Sequence, residues 1–277
     1  FDEENIVYWM AFQILMGNVD TQNRNVYLYS PLNSDIWYFI AWDNDGCLMR
    51  PEYELRNFSD QNSWEKGISN YWGNILFQRC LKSRSFREKV NDAILDLREY
   101  LNKDMLTSKI ESYKNVLKPY LYLMPDAEYE PLTSEQYDQI AASLPDEIEK
   151  NYQLYLESLE TPMPFYIGVP TIDGDKLKFN WDVSYDLDAE DITYSVEVAG
   201  DYLFRDVIYQ NTTLTVPEAE MDLPKAGQYF VRVRATNTSG KTQDAFDYYV
   251  TDEGKYYGMR CFYICLLYTS DAADDLT

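Results

Sequence analysis

The sequence predicts an α+β chain in two parts: a mostly helical first part carrying a β-hairpin, then an all-β sandwich. Three observations lead there. Residues 3–16 and 64–159 carry apolar side chains at the three- and four-residue spacing of helices. Residues 26–42 hold two short apolar runs around a stretch dense in turn formers. After Thr161-Pro162-Met163-Pro164 the pattern changes to alternation of apolar and polar residues, broken by glycine-containing turns.

The elements follow in chain order. Residues 3–16 read as a helix that is apolar nearly all round, which predicts burial, and Gly17 is placed to stop it. A polar loop covers 18–25. Val26–Tyr29 reads as a strand, Ser30–Asp35 as a turn, and Ile36–Trp42 as a second, largely buried strand. In such a hairpin Asn25 and Asp43 stand at neighbouring strand ends. Residues 47–63 have no clear pattern. Helical spacing then begins at Trp64, with Ile68, Tyr71, Ile75, Leu76, Cys80 and Leu81 in register. Ser85, with Glu88 three residues on, suggests an N-cap. The helix after it presents Val90, Ile94, Leu97 and Leu101. Another helix near Leu106–Leu123 meets Pro119, where it bends or stops. Thr133 or Ser134 opens a last helix, which Pro145 is expected to break before a final segment to Leu159. The domains expected are 1–160, a linker at 161–170, a sandwich at 171–252 and a tail at 253–277.

Composition narrows the chemistry. The chain has 277 residues, 45% of them hydrophobic, with 26 tyrosines and a formal charge of −23. That is enough apolar and aromatic material for ordinary cores. The acidity argues against nucleic acid as a partner and is equally the mark of a soluble surface. There is no histidine, which removes Ser-His-Asp and Cys-His catalysis. Cys47, Cys80, Cys261 and Cys265 form no CxxC pair, so a structural zinc site is not expected. No run of 18 apolar residues occurs that would predict a transmembrane helix.

The residues that carry chemistry lie at 17–46. Asp20 and Asn25 are five apart, and Asp43-Asn44-Asp45-Gly46 follows the second strand. Phosphoryl transfer needs such a set: a carboxylate to orient the acceptor hydroxyl and take its proton, and an amide and a carboxylate to hold divalent metal against nucleotide phosphates. Asp20 is the candidate base, Asn25 and Asp43 the candidate metal ligands, and Asp45 a second acidic ligand. Gly46 would let the chain turn sharply past them. A D-x-x-x-x-N spacing also arises in ordinary turns. An EF-hand register fits Asp43, Asp45 and Glu54 but fails at Cys47 and Leu48.

Gly17-Asn18-x-Asp20-x4-Asn25-x-Tyr27-Leu28-Tyr29 and Trp37-Tyr38-Phe39-Ile40-x-Trp42-Asp43-x-Asp45-Gly46, with Asn74-Ile75-Leu76 and Ser85-Phe86-Arg87, resemble the spore-coat protein H (CotH) kinase family over residues 1–125. The resemblance implies the large-lobe portion of an atypical protein-kinase-like fold. It also implies ATP- and Mg²⁺- (or Mn²⁺-) dependent phosphorylation of Ser or Thr hydroxyls on secreted or spore-coat proteins, hence an extracellular or cell-surface location. By position, Asp20 matches the family's catalytic aspartate, Asn25 its metal-binding amide and Asp43 its metal-binding aspartate. Ile40-Ala41 departs from the family's frequent Ile-Pro. No phosphate-covering loop or paired lysine is visible, so the sequence as given is expected to be inactive alone. A non-catalytic coat-assembly protein with the same fold is the alternative.

The second part resembles a fibronectin type III or related immunoglobulin-like module, with Trp181 as core tryptophan and 229–235 as a late strand. Tyr202, Phe204, Tyr256 and Tyr257 look exposed but too scattered for a sugar-binding face, so a spacer is the simpler reading and a carbohydrate-associated binding role the other. Residues 265–277 resemble a translated sequencing adapter, which points to a fragment of environmental DNA and places them outside fold reasoning.

Overall fold

The computed structural model describes residues 1–22, 24–48, 64–130 and 132–265. The chain is α+β: a helical part with a small hairpin, then a β-sandwich. It divides into two compact units, one within residues 1–54 and 65–160, the other comprising Trp64 and Thr161 onward. The irregular 47–63 stretch and the adapter-like tail fall mostly or wholly outside the described residues.

The first unit is built on α1 (Glu3–Leu15). The Asp2 carboxylate caps it by accepting the Asn5 backbone N–H at 2.8 Å. Ile6, Val7, Trp9, Met10, Ala11, Ile14 and Leu15 are all buried, as the all-round apolar pattern predicts. α1 packs against α3 (Arg84–Tyr100) and α5 (Ser134–Glu160). Gly17 ends it at φ +62°, and a Cβ there would meet Asn151 Nδ2 at 2.7 Å. The same Nδ2 donates to the Leu15 carbonyl at 2.9 Å, so α5 satisfies one of the orphan carbonyls at the C-terminus of α1.

β1 (Tyr27–Tyr29) and β2 (Tyr38–Ile40) form an antiparallel hairpin with Tyr27 opposite Ile40. The second run was expected to be largely buried. Only Phe39 is, while Ile36, Trp37, Ile40 and Trp42 are exposed. The hairpin has one covered face, and Phe39 alone points to it, against Trp9 and Phe77. Asn5 of α1 bonds both backbone groups of Phe39, accepting its N–H at 2.6 Å and donating to its carbonyl at 3.1 Å.

Trp64 does not start a helix as expected. Its indole N–H donates to the Phe246 carbonyl in the second unit, and the first helix after it is α2 (Ile75–Lys82). α3 is capped by Ser83, not Ser85; the Ser83 hydroxyl accepts from the Phe86 N–H. α4 (Lys103–Leu121) carries Pro119 in its last turn. α5 begins with a capping box, in which Thr133 and Gln136 each bond the other's backbone N–H. It then runs 27 residues through Pro145 without the expected break. An interior proline costs about 3 kcal/mol. Ala141, Pro145, Ile148 and Tyr155 are buried along that helix, and this continuous packed face offsets the lost hydrogen bond.

The second unit pairs two sheets. One has the order β3 (Thr171–Asp173), β4 (Lys176–Asn180), β7 (Glu218–Asp222). The other has the order β12 (Met259–Ile264), β8 (Gly227–Asn237), β5 (Ile192–Ala199), β6 (Val207–Leu214), with β9 (Thr242–Asp244) also on β8. β10 (Tyr248–Thr251) and β11 (Gly254–Tyr257) make a separate hairpin. Leu177, Phe179, Trp181, Tyr194, Val196, Val231 and Val233 fill the core. Two expected boundaries are corrected. Phe165 and Ile167, placed in a linker, are core residues, and the expected tail supplies β11 and β12, including core residues Phe262 and Ile264. The aromatic residues expected to be exposed are covered: Phe204 and Tyr257 are buried, and Tyr202 and Tyr256 pack with Phe230 and Tyr249 in a satellite cluster.

Candidate active site

Three segments of the first unit converge: the loop after α1, the open end of the hairpin, and the Asp43–Gly46 turn. Asp20 sits in a short 3₁₀ turn, Val19–Gln22. Buried polar side chains hold that turn from below. The Thr21 hydroxyl donates to the Asn18 carbonyl at 3.0 Å and lies 2.9 Å from the Tyr71 hydroxyl. The Asn70 and Asn74 side-chain amides donate to the carbonyls of Val19 and Gln22, each at 3.2 Å. Loops seldom keep such partners unless the backbone they hold has to be fixed.

Asn25 precedes β1 and Asp43 follows β2. The register ends with Tyr27 opposite Ile40, and beyond it the Tyr27 and Trp42 rings close that end with centroids 5.0 Å apart. Asn25 and Asp43 both take left-handed backbone conformations, at φ 51° and φ 50°. Few residues other than glycine do so, and such positions concentrate at functional sites. Residue types and spacing do not foretell this.

Asp43 feels the charges of Asp45 and Asp20. The charge on Asp45 raises the Asp43 carboxyl above its ordinary value, with partial desolvation, a hydrogen bond to Asp45 and the Asp20 charge adding to it. Gly46 was expected to permit a sharp turn through its free backbone. Its φ is not in the positive range that needs glycine; what requires it is proximity, since a Cβ would stand 3.0 Å from Asn18 Oδ1 and 3.7 Å from Asp20 Oδ2. Cys47 follows, and burial pushes its thiol up to about 12, so it is no nucleophile.

Spacing did not single out the amides that join these segments. Gln13, in the last turn of α1 and fully buried, donates to Asn44 Oδ1 at 3.1 Å. Asn18 donates to the same oxygen at 3.4 Å. The sequence signal for Gln13 was a polar residue interrupting an apolar run, and for Asn18 its place beside Asp20 in the Gly17-Asn18-x-Asp20 motif. Among the described residues, no three Asp, Glu or Cys side chains gather closely enough to hold a metal unaided.

A sequence profile described as CotH kinase protein matches residues 1–155, which is more than half of the chain and contains the whole constellation. The chain belongs to the CotH kinase family. Family membership supports a kinase-like function in general. No curated protein matches the chain. Among solved structures it is similar to the twitchin kinase region from C. elegans (16% identity, 34% of this chain and 20% of that one, TM-score 0.25). It is also similar to the Clostridium perfringens spore cortex lytic enzyme SleM (14% identity, 36% and 27%, TM-score 0.22) and to the surface layer protein SbsC, domains 1–6 (16% identity, 70% and 28%, TM-score 0.21). The chain thus spans 28% or less of the length of each, and scores this low carry nothing about function. No helix among the described residues is long and apolar enough to cross a membrane.

Proposed function

We propose that this CotH kinase family member transfers the γ-phosphate of ATP to Ser or Thr hydroxyls of proteins. The observation that carries the reading is the approach of Asp43 and Asp45 to Asp20, with Asn25 and Asp43, at the two ends of the hairpin, both in left-handed backbone. Asp20, held in its 3₁₀ turn by Thr21, Asn70 and Asn74, orients the acceptor hydroxyl and accepts its proton late in the transfer. Asn25 and Asp43 hold Mg²⁺ or Mn²⁺, and Asp45 adds negative charge beside them. The residues fit a divalent cation: the mutual repulsion that raises Asp43 is what a bound cation would relieve. Such a cation, held by these residues, would supply positive charge to offset that developing on the phosphoryl group during transfer. We read the second unit as a fibronectin type III-like spacer. Its three-strand and four-strand orders, β3-β4-β7 and β12-β8-β5-β6, support that reading. The family's link to the spore coat supports a secreted or coat-associated setting.

The test is Mg²⁺- or Mn²⁺-dependent transfer of labelled γ-phosphate by the full-length gene product. Asp20→Ala and Asp43→Ala are expected to lower kcat by at least about 10²-fold while folding normally. A folded wild-type protein that neither binds ATP nor labels any of several acceptor proteins would replace this reading with a coat-assembly scaffold.

A further inference from the structure

Asn18 is almost completely buried, and both its backbone and its side chain bridge the site's segments. Its backbone N–H donates to the Gln13 carbonyl at 3.0 Å, fixing it to the end of α1. Its backbone carbonyl accepts from Thr21 Oγ1 and, at 3.5 Å, from the Tyr71 hydroxyl. Its side-chain oxygen accepts the backbone N–H of Asp20 at 3.3 Å. Its side-chain nitrogen donates to Asn44 Oδ1, in the residue next to Asp43. One side chain therefore holds the backbone of the proposed base with one atom and the turn that presents the proposed metal ligand with the other. Gly46 lets the turn come this close, and Gln13 fixes Asn44 from the α1 side.

We propose that Asn18 is a positioning residue that sets the spacing between Asp20 and Asp43, acting through its bridge from the Asp20 N–H to the Asn44 amide. This rests on the kinase reading above. Transfer between groups held by separate segments is sensitive to their spacing, and a displacement of about 1 Å can cost about 10²-fold in rate. Asn18 touches neither phosphate nor acceptor; it acts through the backbones it holds.

The experiment uses the full-length gene product with Asn18→Ala, Asn44→Ala, the double variant and Asn44→Asp, and takes two readouts. The first is steady-state transfer. Both alanine variants are expected to lower kcat about 10- to 100-fold with KM for ATP near wild type, and the double variant is expected to lose less than the product of the two single losses, because the Asn18–Asn44 bond they share is removed only once. The second is iodoacetamide labelling of Cys47, read by peptide mass spectrometry. Cys47 follows the same turn, and burial is the largest cause of its raised thiol, so a turn that opens exposes it and its labelling is expected to accelerate in both alanine variants, in Asn18→Ala despite the loss of the Asn18 hydrogen bond that lowers the thiol. Asn44→Asp keeps the shared acceptor oxygen and should label near the wild-type rate. Asn44 is exposed, so Asn44→Ala carries the test even where Asn18→Ala does not fold. Labelling at the wild-type rate in the folded alanine variants overturns the bridge, whether or not the protein transfers phosphate. Faster labelling with kcat unchanged overturns the positioning role and leaves the kinase reading standing. Absence of transfer by the wild type defeats the kinase reading, and with it the catalytic role of Asn18.

Discussion

Asp43 occupies a left-handed conformation beside two other carboxylates, and both circumstances oppose folding. Its neighbours hold its carboxyl above the unfolded value. The sign follows: protonated Asp43 suits the folded state better, so the associated stability is present below the unfolded pKa and is lost as pH rises through the folded one. Asp43→Asn removes the repulsion and keeps a side chain that tolerates left-handed backbone. It should raise Tm near pH 7, with the gain vanishing toward about pH 3, while transfer is lost. A Tm lowered near pH 7 by this substitution would show that the carboxylate makes a net favourable contact instead. At this scale the acidic and amide candidates were legible, because phosphoryl transfer demands particular residue types at particular spacings. Gln13, Asn18, Asn70 and Asn74 were not seen as supports. Their partners lie from a few to more than fifty residues away, and a lone buried amide in a sequence looks like any polar interruption.

Among the elements, α1 and the hairpin depend on each other through Asn5. One side chain gives the Phe39 backbone both the acceptor and the donor that a third strand would have supplied. Asn5→Ala leaves both groups with solvent or nothing, and is expected to cost about 2 kcal/mol, read as a lower urea midpoint. A change within about 0.3 kcal/mol would mean that water replaces the amide without loss. The helices were legible where their periodicity was strong, as in α1 and α3. The errors came where tertiary packing overrode a local rule. Pro145 should have ended a helix, but buried residues on both sides carry α5 through it. The second strand read as buried because its residues are apolar, and nothing local says that only one face of a two-stranded ribbon is covered. Ser85 lost the cap to Ser83 two residues earlier, both of them serines in the same short run.

For the molecule as a whole, the change from helical to alternating periodicity near Thr161 was visible, and the two compact units divide there. The end of the sandwich was misplaced because Tyr256–Ile264 is rich in aromatic residues with weak alternation, and its pairing partner, β8, lies about thirty residues back. Chain lengths can test this. A protein ending at Cys265 should show a cooperative melt of the sandwich. One ending at Asp252 loses β11, β12 and the core residues Phe262 and Ile264, and should be recovered only as aggregate; a soluble, cooperatively melting product of that length would show that β12 is dispensable. The position of β12 also governs events during synthesis. β8 lies between β5, made earlier, and β12, the last strand of the sheet. Until residue 264 clears the ribosome, the six residues Gly227–Arg232 of β8 wait for the strand that covers them, the kind of edge on which nascent chains pair with one another. Slow translation or early termination past Asn237 would therefore hold this protein in its most adhesive state, and expression yield should depend on how quickly the final strand is delivered.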